Sequence, residues 1–494
     1  MDRATVPEDV FFIDRARPVP LQAQIRETLV SAILSGRLRA GTRLPSSRRL
    51  ARYLGVSRIT VTTAYQQLVA QDYLASRDRS AYLVAEDPPT RRLHAEEDAN
   101  RRDSIDWSAK LGTELREMRR IEKPLDWRTY PYPFIYGQMD WSLFDHSAWR
   151  DCARQALGRR DFEEMAGDVY AADDPMLVDY ICRRNLPRRG IAARPDEVLV
   201  TLGAQNALWL TIQLLSRGGL HAVCENPGYP DIAHALRWSG ARVTPIDVDG
   251  DGLPPEALPA GVEAVFVTPS HHAPTAVTMP MERRQRLLAA AREEDFLIVE
   301  DDYDFEMSFL GAPSPSLKSL DRSGRVIYTS SFSKALFPGL RLGYLVGPAP
   351  FIAEARRLRT LMLRHPPGHL QRTAAYFLAL GHYDQLIRRM RTAFAERRAL
   401  LVEAIEHAGL ELGGAPAFGG ANLWVGGPEG TDSSRLAAEA REEGVLIEPG
   451  APFFGSTDRP VRFFRMAYSS IAPKRIADGV GILADCARFL PADR

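Results

Sequence analysis

Lysine is scarce in this chain: of 63 Lys and Arg residues only five are lysines, Lys110, Lys123, Lys318, Lys334 and Lys474. Arginine carries the solvent-facing positive charge, so a lysine set among small and apolar residues points to a task arginine cannot perform. That task is to lose its proton and attack a carbonyl, forming a Schiff base. Lys334 has this setting, within Ser330-Ser331-Phe332-Ser333-Lys334-Ala335-Leu336, and follows a strand-like run over 325–329. An ordinary loop lysine fits the isolated residue as well, so its companions decide.

Three of those companions also fall at strand ends. Glu300-Asp301-Asp302-Tyr303 closes an apolar run, where packing gives no reason for carboxylates. Thr201-Leu202-Gly203-Ala204-Gln205-Asn206 leads from a strand into a helix, whose free N–H groups and dipole make an anion site. Asn226-Pro227-Gly228-Tyr229-Pro230 offers a tyrosine able to stack on an aromatic ring, although a plain turn explains it equally well.

The elements that must position these residues alternate. Strands are expected over 198–201, 221–224, 241–246, 264–268, 296–300, 326–329 and 345–346, with helices over 204–216, 231–238 and 281–294. This alternation predicts an α/β core with a mostly parallel sheet, whose ligands sit at the carboxyl ends of the strands. Beyond Phe351, long amphipathic helices lead into a smaller α+β segment.

The amino-terminal end has a different character. Between Arg17 and Leu83 eleven arginines face three acids, Glu27, Asp72 and Asp78, so this end suits an anionic partner. Leu21, Ile25, Leu29, Ile33 and Leu34 recur at helical spacing. Ser46 then caps a short helix over 47–54 that stops at Gly55, and Ser57 caps another over 58–70. Two capped helices joined by a glycine turn predict a helix-turn-helix. In that geometry Arg58, Thr60 and Thr62 face base edges or phosphates of double-stranded DNA, while Ser47 and Arg48 grip its backbone. A two-stranded wing is expected to turn at 77–80.

The domains are expected at 1–86 and 132–494. A linker over 87–131, dense in both charge signs and poor in apolar residues, joins them; a short helix over 111–121 is the one element expected in it. The 494 residues exceed one typical core, and their 45% hydrophobic and 26% charged content is that of an ordinary soluble protein. No apolar run approaches a membrane span or a secretory leader, which points to a cytoplasmic protein. Cys152, Cys182, Cys224 and Cys486 are scattered without metal-ligand spacing, so neither a zinc site nor a disulfide framework is expected.

The segment around Lys334 resembles the cofactor-lysine segment of the fold-type-I pyridoxal 5'-phosphate (PLP) enzymes, the aspartate aminotransferase superfamily. The resemblance implies that Lys334 holds PLP as an imine. Gly203, Ala204, Gln205, Ser331 and Arg341 would bind its phosphate, Tyr229 would stack on its ring, Asp301 would pair with the ring nitrogen and Tyr303 with the ring hydroxyl. Arg465, in Phe463-Phe464-Arg465-Met466, matches the arginine that receives a substrate carboxylate, with Arg462 the competing choice. Two positions depart from the pattern. Ala273 stands where aminotransferases carry an asparagine, leaving His271 or His272 to compensate. Asp231 stands where regulators that sense an amino acid are expected to place an arginine, which favours an effector with an additional cationic group.

Residues 17–86 resemble a GntR-type winged helix, including Leu44-Pro45-Ser46-Ser47-Arg48 and Leu54-Gly55-Val56-Ser57-Arg58, although Asp78, Ser80 and Ala81 occupy a wing turn that usually carries glycines. Together the halves resemble the MocR branch of bacterial transcription regulators. The resemblance implies a head-to-tail homodimer in which a small amino compound forms an external aldimine at the Lys334 cofactor and alters DNA binding. Segments near 135–140 and 173–176 resemble a subgroup associated with ectoine or taurine use. A working aminotransferase with an accessory DNA-binding domain is the alternative.

Overall fold

A computed structural model of the chain describes residues 6, 10–15, 17–77, 81–89, 105–111, 114–414, 418–455 and 461–489. The chain forms two units, residues 1–113 and 114–494.

In the first unit three helices, α1 (Leu21–Leu34), α2 (Ser47–Leu54) and α3 (Arg58–Ala70), precede a ribbon of β1 (Leu74–Arg77) and β2 (Ala81–Val84). The helix limits follow from local chemistry. Ser46 Oγ accepts from the backbone N–H of Arg49 and Gly55 ends α2 in the left-handed region, while Ser57 Oγ accepts from that of Thr60 at the start of α3. Ile25 and Leu29 of α1, Leu50 of α2 and Val61, Tyr65 and Leu68 of α3 form one buried core. The Tyr65 hydroxyl donates to the carbonyl of Pro45 at 3.1 Å, tying α3 to the loop that enters α2. The ribbon is antiparallel, with Leu74 opposite Val84. Its tip, with Asp78, Arg79 and Ser80, lies outside the described residues.

The helix expected over 111–121 is instead two short ones, Trp107–Leu111 and Glu114–Glu117, after which the chain runs irregularly through Lys123. The second unit begins at Glu114, so the end of the expected linker belongs to it.

The second unit is built on β3 (Val198–Thr201), α4 (Ala204–Leu215), β4 (His221–Asn226), α5 (Pro230–Trp238), β5 (Arg242–Asp247), β6 (Ala264–Val267), α6 (Met281–Glu293), β7 (Leu297–Asp301), β8 (Val326–Ser331) and β9 (Gly343–Val346). The sheet order is β3-β9-β8-β7-β6-β4-β5, with β9 antiparallel to both neighbours and the other pairs parallel. Both faces are covered over most of the sheet, which explains why β3, β6, β7 and β9 are buried almost throughout rather than alternating, whereas the edge strand β5 is partly exposed. In β7, Ile298 enters a core with Leu287 and Phe296, and the next residue, Val299, enters the opposite one with Leu208 and Leu345.

A second sheet, β10 (Glu411–Leu412), β11 (Asn422–Gly426), β12 (Glu448–Pro449) and β13 (Phe463–Ala467), is antiparallel in the order β10-β11-β13-β12. The short strands Tyr132–Pro133 and Val445–Leu446 pair in parallel, and Phe134 bonds onward to Leu446 and Ala467 through its backbone. This stretch from before the large sheet is thereby stitched to the small domain. Among the described residues no helix is long and apolar enough to cross a membrane, and no cluster of His, Cys, Asp and Glu is placed to hold a metal ion.

Candidate functional site

At the carboxyl ends of β3, β7 and β8 opens a cavity of about 770 Å³, lined by Gln205, Tyr229, Asp301, Lys334, Arg341 and Arg465 among others. Lys334 follows β8 by three residues, and its Nζ lies 4.3 Å from the ring centroid of Tyr136. Burial, then the charges of Lys123 and Arg465, push its ammonium down to about 7. A large fraction is therefore a neutral, nucleophilic amine near neutral pH.

Asp301 ends β7, beside Thr329 in β8. Burial, then the neighbouring Asp302 and Asp304, push its carboxyl up to about 7, and its Oδ1 has no hydrogen-bond partner. The adjacent acids are already engaged: Asp302 accepts from Arg189 at 2.6 Å and from Tyr328 at 2.8 Å, and Asp304 meets His271 Nδ1 at 2.7 Å. Among the described residues Asp301 makes no ion pair, and the Lys334 ammonium offsets only part of its rise.

A third wall comes from backbone approach. Gly343 in β9 lies between Ser331 and Thr201, and a Cβ there would sit 2.7 Å from the Ser330 carbonyl and 2.8 Å from Gly203 C. Only glycine lets the start of α4 close on the end of β8. Gly203 has φ +80°, and a Cβ on it would lie 3.3 Å from Arg341 Nη2. Arg341, Ser331 and the N-terminus of α4, with Ala204 and Gln205, are therefore neighbours. Ser333 Oγ, which sequence reasoning missed, is buried beside them without a partner.

Tyr229 caps the start of α5, and its hydroxyl lies 2.9 Å from Gln205 Oε1 and 3.0 Å from Asp231 Oδ2. The nearby His234, together with the hydrogen bond from Tyr229, holds the Asp231 carboxyl below its ordinary range. Asp231 lines the cavity, and its partly exposed carboxylate also accepts from Tyr229. The Tyr303 hydroxyl donates to the His271 carbonyl at 2.9 Å. Both histidines near Ala273 are buried in other partnerships: His271 with Asp304, and His272 with Thr275 at 2.7 Å. Burial pushes His272 down to about 3.

Arg465 is 5% exposed and lies directly across an antiparallel pair from Glu448, which its Nε meets at 2.7 Å. Its guanidinium stands 4.5 Å from the Tyr136 ring centroid and 4.8 Å from that of Phe453. Arg462 instead bonds Glu411 and the Gly427 carbonyl, away from the cavity lining. Tyr136, Glu448 and Lys123 join the site although no role for them was read from the sequence. All three arrive through the stitching of residues 132–136 to the small domain, which has no local signature; Lys123 did carry one signal, its rarity.

In the first unit, Arg48 and Arg58 are exposed and Ser47, Thr60 and Thr62 are partly so. Arg58 and Thr62 share one helix face at a separation of four, and Arg58 Nε lies 3.4 Å from Ser47 Oγ. The Thr60 hydroxyl is 2.8 Å from the Ser57 cap, and that of Thr62 donates to the Arg58 carbonyl at 2.9 Å. The threonines therefore present methyl groups and spare acceptor positions more than free donors.

The two units define a protein class that joins a winged helix to an aminotransferase fold, and comparison agrees. Residues 179–480 match the aminotransferase class I and II family, and residues 21–84 the gntR family of bacterial regulatory proteins. LysN, an alpha-aminoadipate aminotransferase from Thermus thermophilus, has TM-score 0.69 at 26% identity over 78% of this chain and 98% of its own. The HTH-type transcriptional regulator TauR of Rhodobacter capsulatus is 52% identical, over 98% of this chain and all of its own. The probable rhizopine catabolism regulatory protein MocR of Rhizobium meliloti is 34% identical over 98% of each. The chain belongs to the MocR-type transcription regulators, with a gntR-family DNA-binding region and an aminotransferase-like domain.

Proposed function

We propose that this regulator binds PLP and senses a small amino compound at Lys334, as a homodimer presenting two winged helices to DNA half-sites. The observation that carries the reading is the pairing, in one cavity, of a lysine pushed down to about 7 with a buried carboxyl pushed up to about 7 whose Oδ1 has no hydrogen-bond partner. The residues present fit the cofactor. A protonated ring nitrogen is the partner Asp301 lacks, and Arg341, Ser331, Ser333 and the start of α4 have the chemistry to hold a phosphate.

When bound, PLP supplies an aldehyde conjugated to an electron-withdrawing ring. Lys334 is the amine that would hold it. Asp301 would hold the ring-nitrogen proton, Tyr229 would cover the ring, and Gly203, Ala204 and Gln205 would leave their N–H groups open to the phosphate. Tyr303 reaches the ring hydroxyl only by sharing its bond to His271.

The test is a titration of the PLP-loaded full chain with amino acids and diamines, following the visible spectrum alongside keto or aldehyde product. A saturating spectral change without product supports a sensor. Steady turnover with an added keto acid favours the alternative, a working aminotransferase.

Two substitutions bear on the parts separately. Gly203→Ala places a side chain in the left-handed region and against Arg341. The cost of about 1–2 kcal/mol is expected to weaken PLP binding roughly tenfold, measured by fluorescence titration; unchanged affinity contradicts the cradle. Arg58→Ala is expected to weaken operator binding about tenfold to a hundredfold with the PLP spectrum unaltered. Unchanged affinity in a gel-shift titration means that α3 is not the reading helix.

A further inference from the structure

Lys123 reaches the cavity from the irregular stretch that opens the second unit. Its ammonium donates to the Tyr136 carbonyl and lies 3.3 Å from Glu448 Oε1. Glu448 is fully buried, and its other oxygen accepts from Arg465. Burial alone would raise the Glu448 carboxyl, but the charges of Arg465 and Lys123 hold it below its ordinary range. Among the described ion pairs Glu448 is the one carboxylate shared by these two cations. Two positive charges thus meet one carboxylate: Glu448 and Arg465 are buried and Lys123 is partly exposed, so among these three groups positive charge is in excess.

We propose that Lys123 is a specificity residue of the effector site: its ammonium and the Arg465 guanidinium together seat an anionic group carried by the amine effector. This rests on the reading that the cavity takes an amino compound. An incoming anion supplies the charge the cluster lacks, so Glu448 need not be expelled. The seat is close to the reacting amine. A side chain on Gly137 would begin 3.7 Å from Lys123 Nζ and closer still to Lys334 Nζ, so both amines border one point. An effector whose amine replaces that of Lys334 has room for only a short chain before its anion meets Lys123. The cluster of Lys123 and Arg465 thereby selects an effector with an anionic end.

A purely structural Lys123 would bridge Tyr136 and Glu448 and change all ligands alike, so the experiment compares two matched probes. PLP-loaded full chain, as wild type, Lys123→Gln and Lys123→Arg, is titrated with 3-aminopropanoate and with propylamine, reading the half-saturating concentration from the visible spectrum. The wild type is expected to prefer 3-aminopropanoate. Lys123→Gln should raise its half-saturating concentration about tenfold or more while shifting propylamine by less than about twofold, and Lys123→Arg should recover most of the loss. Equal shifts for both probes, no shift for either, or a wild type that prefers propylamine overturns the proposal. A wild type that responds spectrally to neither amine overturns the PLP-sensing reading instead. Calorimetric titration of cofactor-free protein with propanoate then decides separately. Weaker binding by Lys123→Gln upholds the anion seat, and equal or absent binding in wild type and variant overturns it.

Discussion

Lys334→Ala is expected to abolish the visible imine absorption of PLP-loaded protein and every spectral response to amines, while operator binding without effector stays near the wild-type level. The loss should be complete because the other four lysines have no place at the strand end where Lys334 lies among Asp301, Tyr136 and Arg465; even Lys123 is committed to the Tyr136 carbonyl and Glu448. Folding should survive, since alanine removes an amine that burial already disfavours in its charged form. DNA binding should survive because the first unit has its own core of Ile25, Leu29, Leu50, Val61 and Leu68. Lys334→Arg refines the test: it keeps a positive charge yet cannot become a neutral nucleophile, so it too should lack the band. Either variant retaining an imine band that borohydride fixes to the protein removes Lys334 from its role. In the wild type the rate of PLP capture should fall as pH drops below about 7, because the folded-state amine is then protonated.

The residues most legible in the sequence were those whose setting is local. Asp301 and Lys334 each follow an apolar run whose length and flanking turns mark a buried strand, and the expected strand limits fall within a few residues of those observed. Gly203 and the two serine caps were legible for the same reason: a turn or a helix start needs particular residue types within three or four positions. Lys123, Tyr136 and Glu448 depend on pairings between separate strands, Tyr132 with Val445 across hundreds of residues and Glu448 with Arg465 across 17. No local pattern encodes such register. Scarcity of lysine singled out Lys334, and the same observation applied to Lys123 would have drawn it in. Asp231 was read from its spacing to Tyr229, a local relation, and it does line the cavity, where its carboxylate also accepts from Tyr229.

Asp301→Asn should separate the stability of the fold from its capacity to hold a cofactor. In cofactor-free protein the carboxyl has an unfolded value near 3.8 and a folded value of about 7. Between these the folded state keeps a proton that the unfolded state has released, so stability falls as pH rises through the window and the full penalty applies above it. Glu225 at about 8 and Glu306 at about 7, both raised chiefly by burial, act in the same direction. Cofactor-free wild type is therefore expected to be most stable under mildly acidic conditions. Asparagine keeps the shape without the charge and relieves at most about 4 kcal/mol, so the Tm of the variant at pH 8 should exceed that of wild type by roughly 5 °C. The difference should vanish near pH 4, where Asp301 is protonated in the folded state. The same change removes the carboxylate that would pair with a protonated ring nitrogen, and PLP affinity should fall roughly a hundredfold or more. A variant that is less stable at pH 8, or equally tight for PLP, would show that Asp301 is a structural acid and not the cofactor's counter-charge.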